Sequence, residues 1–144
     1  MITRTGSAVW NGGIKDGKGS VSTESGALDG LPYSFAKRFG EEKGSNPEEL
    51  VGAAHAACYS MQLSGVLGAS DLTADEINTT SAVTGSMDSG GFTITDVHLT
   101  VRAKVPGADE AAFLAAAQKA KEICPISKLL NGSIDITMDA KLVS

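Results

Sequence analysis

Two cysteines, Cys58 and Cys124, are the side chains of this sequence best suited to redox chemistry, and they are its only thiols. A thiolate is a strong nucleophile and a metal ligand. The two residues lie 66 positions apart with no CxxC motif, so spacing alone neither pairs them nor defines a metal site. Free cysteines are also among the most buried residue types and are inert when buried. The residues alone therefore leave two readings, packing thiols or a reactive site.

Arg38 and Glu48 are the charged residues that we associate with this chemistry. Arg38 falls on the small-residue face of a predicted strand, opposite Tyr33, Phe35 and Phe39. A guanidinium near a protein core requires a carboxylate partner, because an unpaired buried charge is costly. Glu48, in the first turn of the predicted cysteine-bearing helix, is the candidate partner. The alternatives are a solvated Arg38 and a Glu48 that only stabilises the helix dipole, by less than about 1 kcal/mol.

His55 lies three residues before Cys58 and so is its neighbour on a helix surface. It could serve as a base in a Cys–His hydrolase or acyl transferase, and this is a rival function. A non-catalytic stress protein that binds zinc or a small ligand is another rival. For zinc, the chain offers four Cys and His ligands in all: Cys58, Cys124, His55 and His98. We interpret His55 mainly as a small polar packing residue.

Composition limits the classes of partner. The chain has 144 residues, a formal net charge of −5, 42% hydrophobic residues and 20% charged residues, which are the values of one ordinary domain, residues 1–144. The negative charge argues against nucleic acid and anionic membrane surfaces. No apolar stretch is long enough for a spanning helix or a signal peptide. We therefore expect a cytoplasmic protein whose thiols stay reduced.

Hydrophobic periodicity and turn residues predict the order βββ-α-ββ-α-β, an α+β fold with antiparallel sheets around a long central helix. Asn46 and Pro47 mark the start of that helix, which should run to about residue 67 and be buried. A switch of strand phase near residues 95–96 predicts a β-bulge. The predicted elements are strands at 5–10, 19–25, 31–39, 77–87, 92–105 and about 134–142, and helices at 47–67, 109–123 and 125–130.

Taken together, the motifs of this chain resemble the OsmC branch of the OsmC/Ohr family, named for osmotically inducible protein C. The resemblance covers essentially the whole chain, with no departure at the positions that matter. The Asn-Pro-Glu…Cys block together with a distant Cys-Pro is its most specific part. The segments that carry it are Gly17-Lys18-Gly19, Val21 to Gly26, Asn46 to Cys58, and Cys124 to Lys128.

This resemblance implies a bacterial thiol peroxidase that acts on organic hydroperoxides. Cys58 would be the thiol that attacks the peroxide, Cys124 the resolving thiol, and Arg38 and Glu48 the family's Arg–Glu pair. It further implies an intertwined homodimer without metal, haem or other cofactor, reduced by an external dithiol; lipoyl groups are the donor suggested by the Ohr branch.

The helix geometry adds one expectation that does not depend on the family. Glu48 and Cys58 are ten residues apart, hence about 15 Å apart along a straight helix. A Glu–Arg pair does not easily span that length within one chain. Antiparallel packing of two such helices about a two-fold axis would bring Glu48 of one subunit close to Cys58 of the other. We therefore predict a site shared between subunits.

Overall fold

The computed structural model describes residues 1–144 and divides into two compact units, Met1–Leu50 and Val51–Ser144. The element order is β1 (Gly6–Asn11), β2 (Lys18–Thr23), β3 (Leu31–Tyr33), α1 (Phe35–Phe39), α2 (Pro47–Gly68), β4 (Glu76–Asp88), β5 (Gly91–Lys104), α3 (Glu110–Ile123), α4 (Pro125–Leu130) and β6 (Asp135–Val143). This confirms the α+β class. None of the helices combines the length and the apolar content that crossing a bilayer requires.

The first unit contains a three-stranded antiparallel sheet in the order β1-β2-β3. The chain turns between β1 and β2 through Gly12, whose φ of 97° is favourable only for glycine. β3 is a short edge strand that contains Pro32. Proline cannot donate a ladder hydrogen bond, and it is tolerated in an edge strand because one side of that strand has no neighbour to accept from it.

The predicted third strand, 31–39, is wrong beyond Tyr33, because residues 35–39 form the short helix α1. Ser34 caps this helix by accepting a hydrogen bond from the backbone N–H of Lys37, at 3.2 Å. Phe35 and Phe39 share a face because they are one helical turn apart, with ring centroids 5.1 Å apart. Residues four positions apart lie on the same face of a strand and also on the same face of a helix. The spacing of these two aromatic residues therefore did not distinguish a strand from a helix.

The second unit contains a three-stranded sheet in the order β4-β5-β6. β4 and β5 form the predicted hairpin, and its register shift pairs Thr84 with Asp96 and Gly85 with Ile94. Thr95 is therefore the extra residue, which confirms the bulge.

The prediction of antiparallel sheets is wrong for β6, because this strand pairs parallel to β5. Parallel neighbours need a long crossover connection, and α3 and α4 supply it.

Helix α2 begins where predicted, with the Asn46 side chain accepting from the backbone N–H of Glu49 at 2.8 Å. It is buried along one stripe only: Gly52, His55, Tyr59, Leu63 and Leu67. The apolar part of this stripe packs in a core with residues of β5 and α3, such as Leu99 and Phe113. The expectation of a helix buried on several sides is not met in a single chain, because Ala53, Ala54, Ala57 and Gly65 are exposed.

Candidate active site

The two cysteines meet in the second unit. The Sγ atoms of Cys58 and Cys124 lie 3.3 Å apart, and both thiols are free. Cys58 stands in the middle of α2 and is partly exposed, whereas Cys124 is fully buried. The fold thus brings together two sulfur atoms that are 66 residues apart in the chain.

The break between α3 and α4 sets the position of Cys124. Pro125 disfavours helical backbone at the preceding residue, and Cys124 accordingly has φ −57° and ψ 123°. Its N–H donates to Ala120 at 2.9 Å, and its carbonyl accepts from the N–H of Lys128 at 2.9 Å. Cys124 therefore ends one helix and starts the next, as the Cys-Pro pair predicts.

Cys58 is the more accessible thiol, and it lines a depression of the surface together with Met61, Gln62 and Pro125. A small molecule that enters this depression meets the Cys58 sulfur, while Cys124 lies buried in contact with it. The arrangement suits a two-step reaction in which Cys58 first reacts with an external molecule and Cys124 then reacts with Cys58.

Burial raises the pKa of the Cys58 thiol, and the neighbouring Cys124 raises it further, whereas a hydrogen bond from the backbone of Ile126 opposes the shift. The two groups that act on this thiol, Cys124 and Ile126, both belong to the second unit. An ordinary cysteine, with a pKa near 8.5, is about 3% thiolate at pH 7. Efficient attack on a peroxide requires a source of thiolate stabilisation beyond these groups.

Arg38 and Glu48 form the predicted ion pair within the first unit. The Arg38 Nη2 atom lies 2.8 Å from Glu48 Oε1, and Nε lies 3.1 and 3.2 Å from the two carboxylate oxygens. This two-pronged contact fixes the plane of the guanidinium. The Arg38 side chain keeps 35% of its surface exposed, and its guanidinium carbon lies 4.9 Å from the centre of the Phe39 ring. Arg38 belongs to α1, not to a strand as predicted.

An aromatic cavity adjoins this ion pair in the first unit. Its lining consists of Trp10, Ile14, Tyr33, Ser34, Phe35, Arg38 and Phe39. Phe35 and Phe39, which the sequence pattern places on one face, both line this cavity. Trp10 was missed, because it lies on β1 and reaches Tyr33 only through the pairing of β1, β2 and β3.

Both histidines are hydrogen bonded to hydroxyl groups. His55 is fully buried, and both its ring nitrogens are hydrogen bonded to hydroxyl groups: Nδ1 to Ser81 Oγ at 3.2 Å and Nε2 to Ser127 Oγ at 2.8 Å. Burial lowers its pKa, which favours the neutral ring. These contacts fit the packing role and do not direct a ring nitrogen to Cys58. His98 instead pairs with Thr137 at 2.6 Å, and no group of three or more Cys, His, Asp or Glu side chains is placed to hold a metal.

Comparison with known proteins identifies the family of this chain. The family model described as OsmC-like protein matches residues 40–139. Peroxiredoxin OsmC of Escherichia coli (strain K12) is 50% identical over 143 residues, 99% of each chain. The organic hydroperoxide resistance protein of Xanthomonas axonopodis pv. citri (strain 306) is 32% identical over 94% of this chain and 85% of its own.

A solved structure shows the same fold. The crystal structure of the organic hydroperoxide resistance protein OhrB of Bacillus subtilis superposes with a TM-score of 0.74 at 26% identity, over 95% of this chain and 98% of that one. A family match across more than half of the sequence, a full-length relative at 50% identity and a shared fold all agree. The chain therefore belongs to the OsmC-like protein family.

Proposed function

We propose that this protein is a thiol-dependent peroxidase that reduces organic hydroperoxides to alcohols, with Cys58 as the attacking thiol and Cys124 as the resolving thiol. The observation that carries the proposal is the 3.3 Å contact between a partly exposed and a buried sulfur. The names of the relatives support it: a peroxiredoxin at 50% identity and an organic hydroperoxide resistance protein at 32%.

The reaction divides into three balanced steps. The Cys58 thiolate attacks one oxygen of the O–O bond; that bond breaks, the other oxygen leaves as an alkoxide that takes up a proton, and Cys58 becomes a sulfenic acid. The Cys124 thiol then attacks the Cys58 sulfur, so that an S–S bond forms, the S–O bond breaks and water leaves. An external dithiol finally reduces the disulfide by exchange and is itself oxidised to a disulfide.

The short sulfur separation protects the enzyme from its own substrate. A sulfenic acid that persists is oxidised by further peroxide to sulfinic acid, which is generally irreversible. A disulfide requires about 2.05 Å between sulfurs, so the observed contact of 3.3 Å must shorten by only a little over 1 Å. Small side-chain rotations supply such a shift, and resolution can therefore compete with further oxidation.

Arg38, held by Glu48, is the proposed source of thiolate stabilisation. One guanidinium about 4 Å from a thiolate contributes roughly 4 kcal/mol at an effective dielectric constant of 20, before desolvation is subtracted. Each pKa unit corresponds to about 1.4 kcal/mol, so one such cation is sufficient to make the thiolate abundant at neutral pH. Glu48 partly cancels this charge, and its role is to orient the guanidinium.

We further propose an intertwined homodimer in which Arg38 and Glu48 of one subunit complete the site around Cys58 of the other. One observation supports this arrangement: α2 exposes a face of small residues that permits close helix packing, Ala53, Ala54, Ala57 and Gly65. In this proposal residues 1–144 act as one functional domain, in the cytoplasm, with lipoyl groups as the candidate external dithiol.

Intact-mass measurement after one equivalent of tert-butyl hydroperoxide tests the chemistry. We expect the reduced protein to lose two hydrogens and peptide mapping to place the bridge between Cys58 and Cys124. The Cys124→Ser variant is the matched control; it should retain one oxygen on Cys58 instead. A protein that keeps its mass, or forms its bridge between two chains, would overturn the proposed mechanism.

Subunit mixing tests the shared site separately. Homodimers of Cys58→Ser and of Arg38→Ala should both be nearly inactive. A mixture of the two should recover activity, because one site of each heterodimer then has an intact Cys58 and an intact Arg38. Absence of recovery, with heterodimers demonstrated by native mass spectrometry, would refute the shared site while leaving the two-cysteine chemistry untouched.

A further inference from the structure

His55 is a fully buried ionisable group that the proposed reaction does not use. It lies on α2, one turn before Cys58, and its ring is hydrogen bonded on both sides. The Ser81 contact joins α2 to β4, and the Ser127 contact joins α2 to α4. The neutral ring has one donor and one acceptor nitrogen, and each serine hydroxyl can act in either sense, so the chain of three side chains is fully satisfied.

The contact with Ser127 is the one that relates directly to the cysteines. Ser127 follows Cys124 by three residues in the first turn of α4 and is itself only 3% exposed. At 2.8 Å, its bond to His55 Nε2 is also shorter than the 3.2 Å bond from Nδ1 to Ser81. One helix, α2, therefore carries both Cys58 and the group that anchors the start of α4.

This anchorage matters because Cys124 belongs to neither flanking helix. Its backbone is hydrogen bonded to α3 through Ala120 and to α4 through Lys128, and its ψ of 123° is not helical. A shift of α4 relative to α2 would move the Cys124 sulfur relative to Cys58. Misplacement of a reacting atom by about 1 Å can lower a rate by about a hundredfold.

We propose that His55 is a positioning residue for the resolving step: through its hydrogen bond to Ser127 it holds α4 against α2, and so keeps the Cys124 sulfur within reach of the Cys58 sulfenic acid. This inference rests on the proposed peroxidase function. It concerns the second step, because Cys124 attacks the Cys58 sulfur only after Cys58 has reacted with the peroxide.

Matched hydroxyl deletions test the proposal. Ser127→Ala removes the partner on α4, and Ser81→Ala removes the equivalent partner on β4, which carries no cysteine. We expect Ser127→Ala to slow disulfide formation about 10- to 100-fold after a peroxide pulse and to accumulate Cys58 sulfinic acid, a gain of two oxygens by intact mass. Ser81→Ala should form the disulfide at a rate within a few fold of the original protein.

The first step provides the internal control. In a Cys124→Ser background, the rate at which Cys58 gains one oxygen should be the same with and without Ser127→Ala. A general loss of structure would slow both steps, whereas a lost anchor slows resolution alone. Equal resolution rates in the original protein and Ser127→Ala, or equal slowing by Ser81→Ala, would overturn the positioning role.

Substitution of the ring itself keeps the test decisive if Ser127→Ala does not fold. His55→Gln places an amide near the position of Nε2 and retains a partner for Ser127, whereas His55→Asn places it near Nδ1, on the Ser81 side. We expect the Gln variant to resolve faster than the Asn variant, and equal rates would overturn the proposal. If the original protein forms no bridge between Cys58 and Cys124 with tert-butyl hydroperoxide, the proposed function fails first, and the positioning role fails with it.

Discussion

Oxidation of the two cysteines should raise the free energy of unfolding by an amount that the chain separation determines. A bridge between Cys58 and Cys124 closes a loop of 66 residues in the unfolded state. In the chain-entropy model, such a loop lowers the conformational entropy of the unfolded state enough to stabilise the fold by about 4 kcal/mol at 25 °C. The contact of 3.3 Å in the reduced protein means that the native state needs little rearrangement to accommodate the bond.

A stabilisation of that size corresponds to a rise in Tm of about 13 °C for a chain of this length. Thermal unfolding followed by circular dichroism, with and without one equivalent of tert-butyl hydroperoxide, measures it. Cys124→Ser under the same treatment is the control and should show no comparable rise. A bridged protein that unfolds at the same temperature as the reduced protein would refute the inference that the fold holds the two thiols ready to join.

Three further outcomes are expected. Arg38→Ala should shift the pH profile of Cys58 alkylation by iodoacetamide to higher pH and lower peroxidase activity at pH 7 on the order of tenfold or more; an unchanged profile would contradict the proposed thiolate stabilisation. Burial lowers the pKa of His55, so the unfolded chain binds the proton more tightly than the folded chain. The free energy of unfolding should therefore fall as pH decreases below about 6.5. In urea unfolding, His55→Gln should lose this contribution to the pH dependence of the unfolding free energy. Gly52→Ala should lower the free energy of unfolding in urea by about 1–3 kcal/mol, because its Cβ would lie 2.8 Å from a backbone carbonyl oxygen of β4. Gly68→Ala is the control and should not destabilise the protein, because a Cβ at that position meets open space.

Sequence signals were sufficient for several features that depend on residues close together in the chain, although the helix that Ser34 caps at residues 35–39 was predicted as a strand. Asn46 and Pro47 fix the start of α2 because a cap acts within one turn, and Asp109 does the same for α3, accepting from Ala112 at 2.7 Å. The bulge at Thr95 was visible as a change of strand phase. The Arg38–Glu48 pair was predictable because a charge near a protein core needs a partner of opposite charge. The local structure around Arg38 was nevertheless predicted wrongly.

Tertiary contacts decided what local patterns left open. The direction of β6 depended on the crossover through α3 and α4. The hydrogen bond between His55 and Ser127 carried no signal in the sequence, because the two residues are 72 positions apart.

The sequence by itself supplied the two thiols, predicted the α+β class and most of the order of elements, and indicated the family by resemblance. Only the folded chain placed their sulfurs 3.3 Å apart, with one partly exposed and the other buried, and raised the pKa of Cys58 by burial. The physical reason is that burial and electrostatics depend on which distant segments surround a group. Capping, turns and strand alternation, in contrast, depend on neighbours within a few residues.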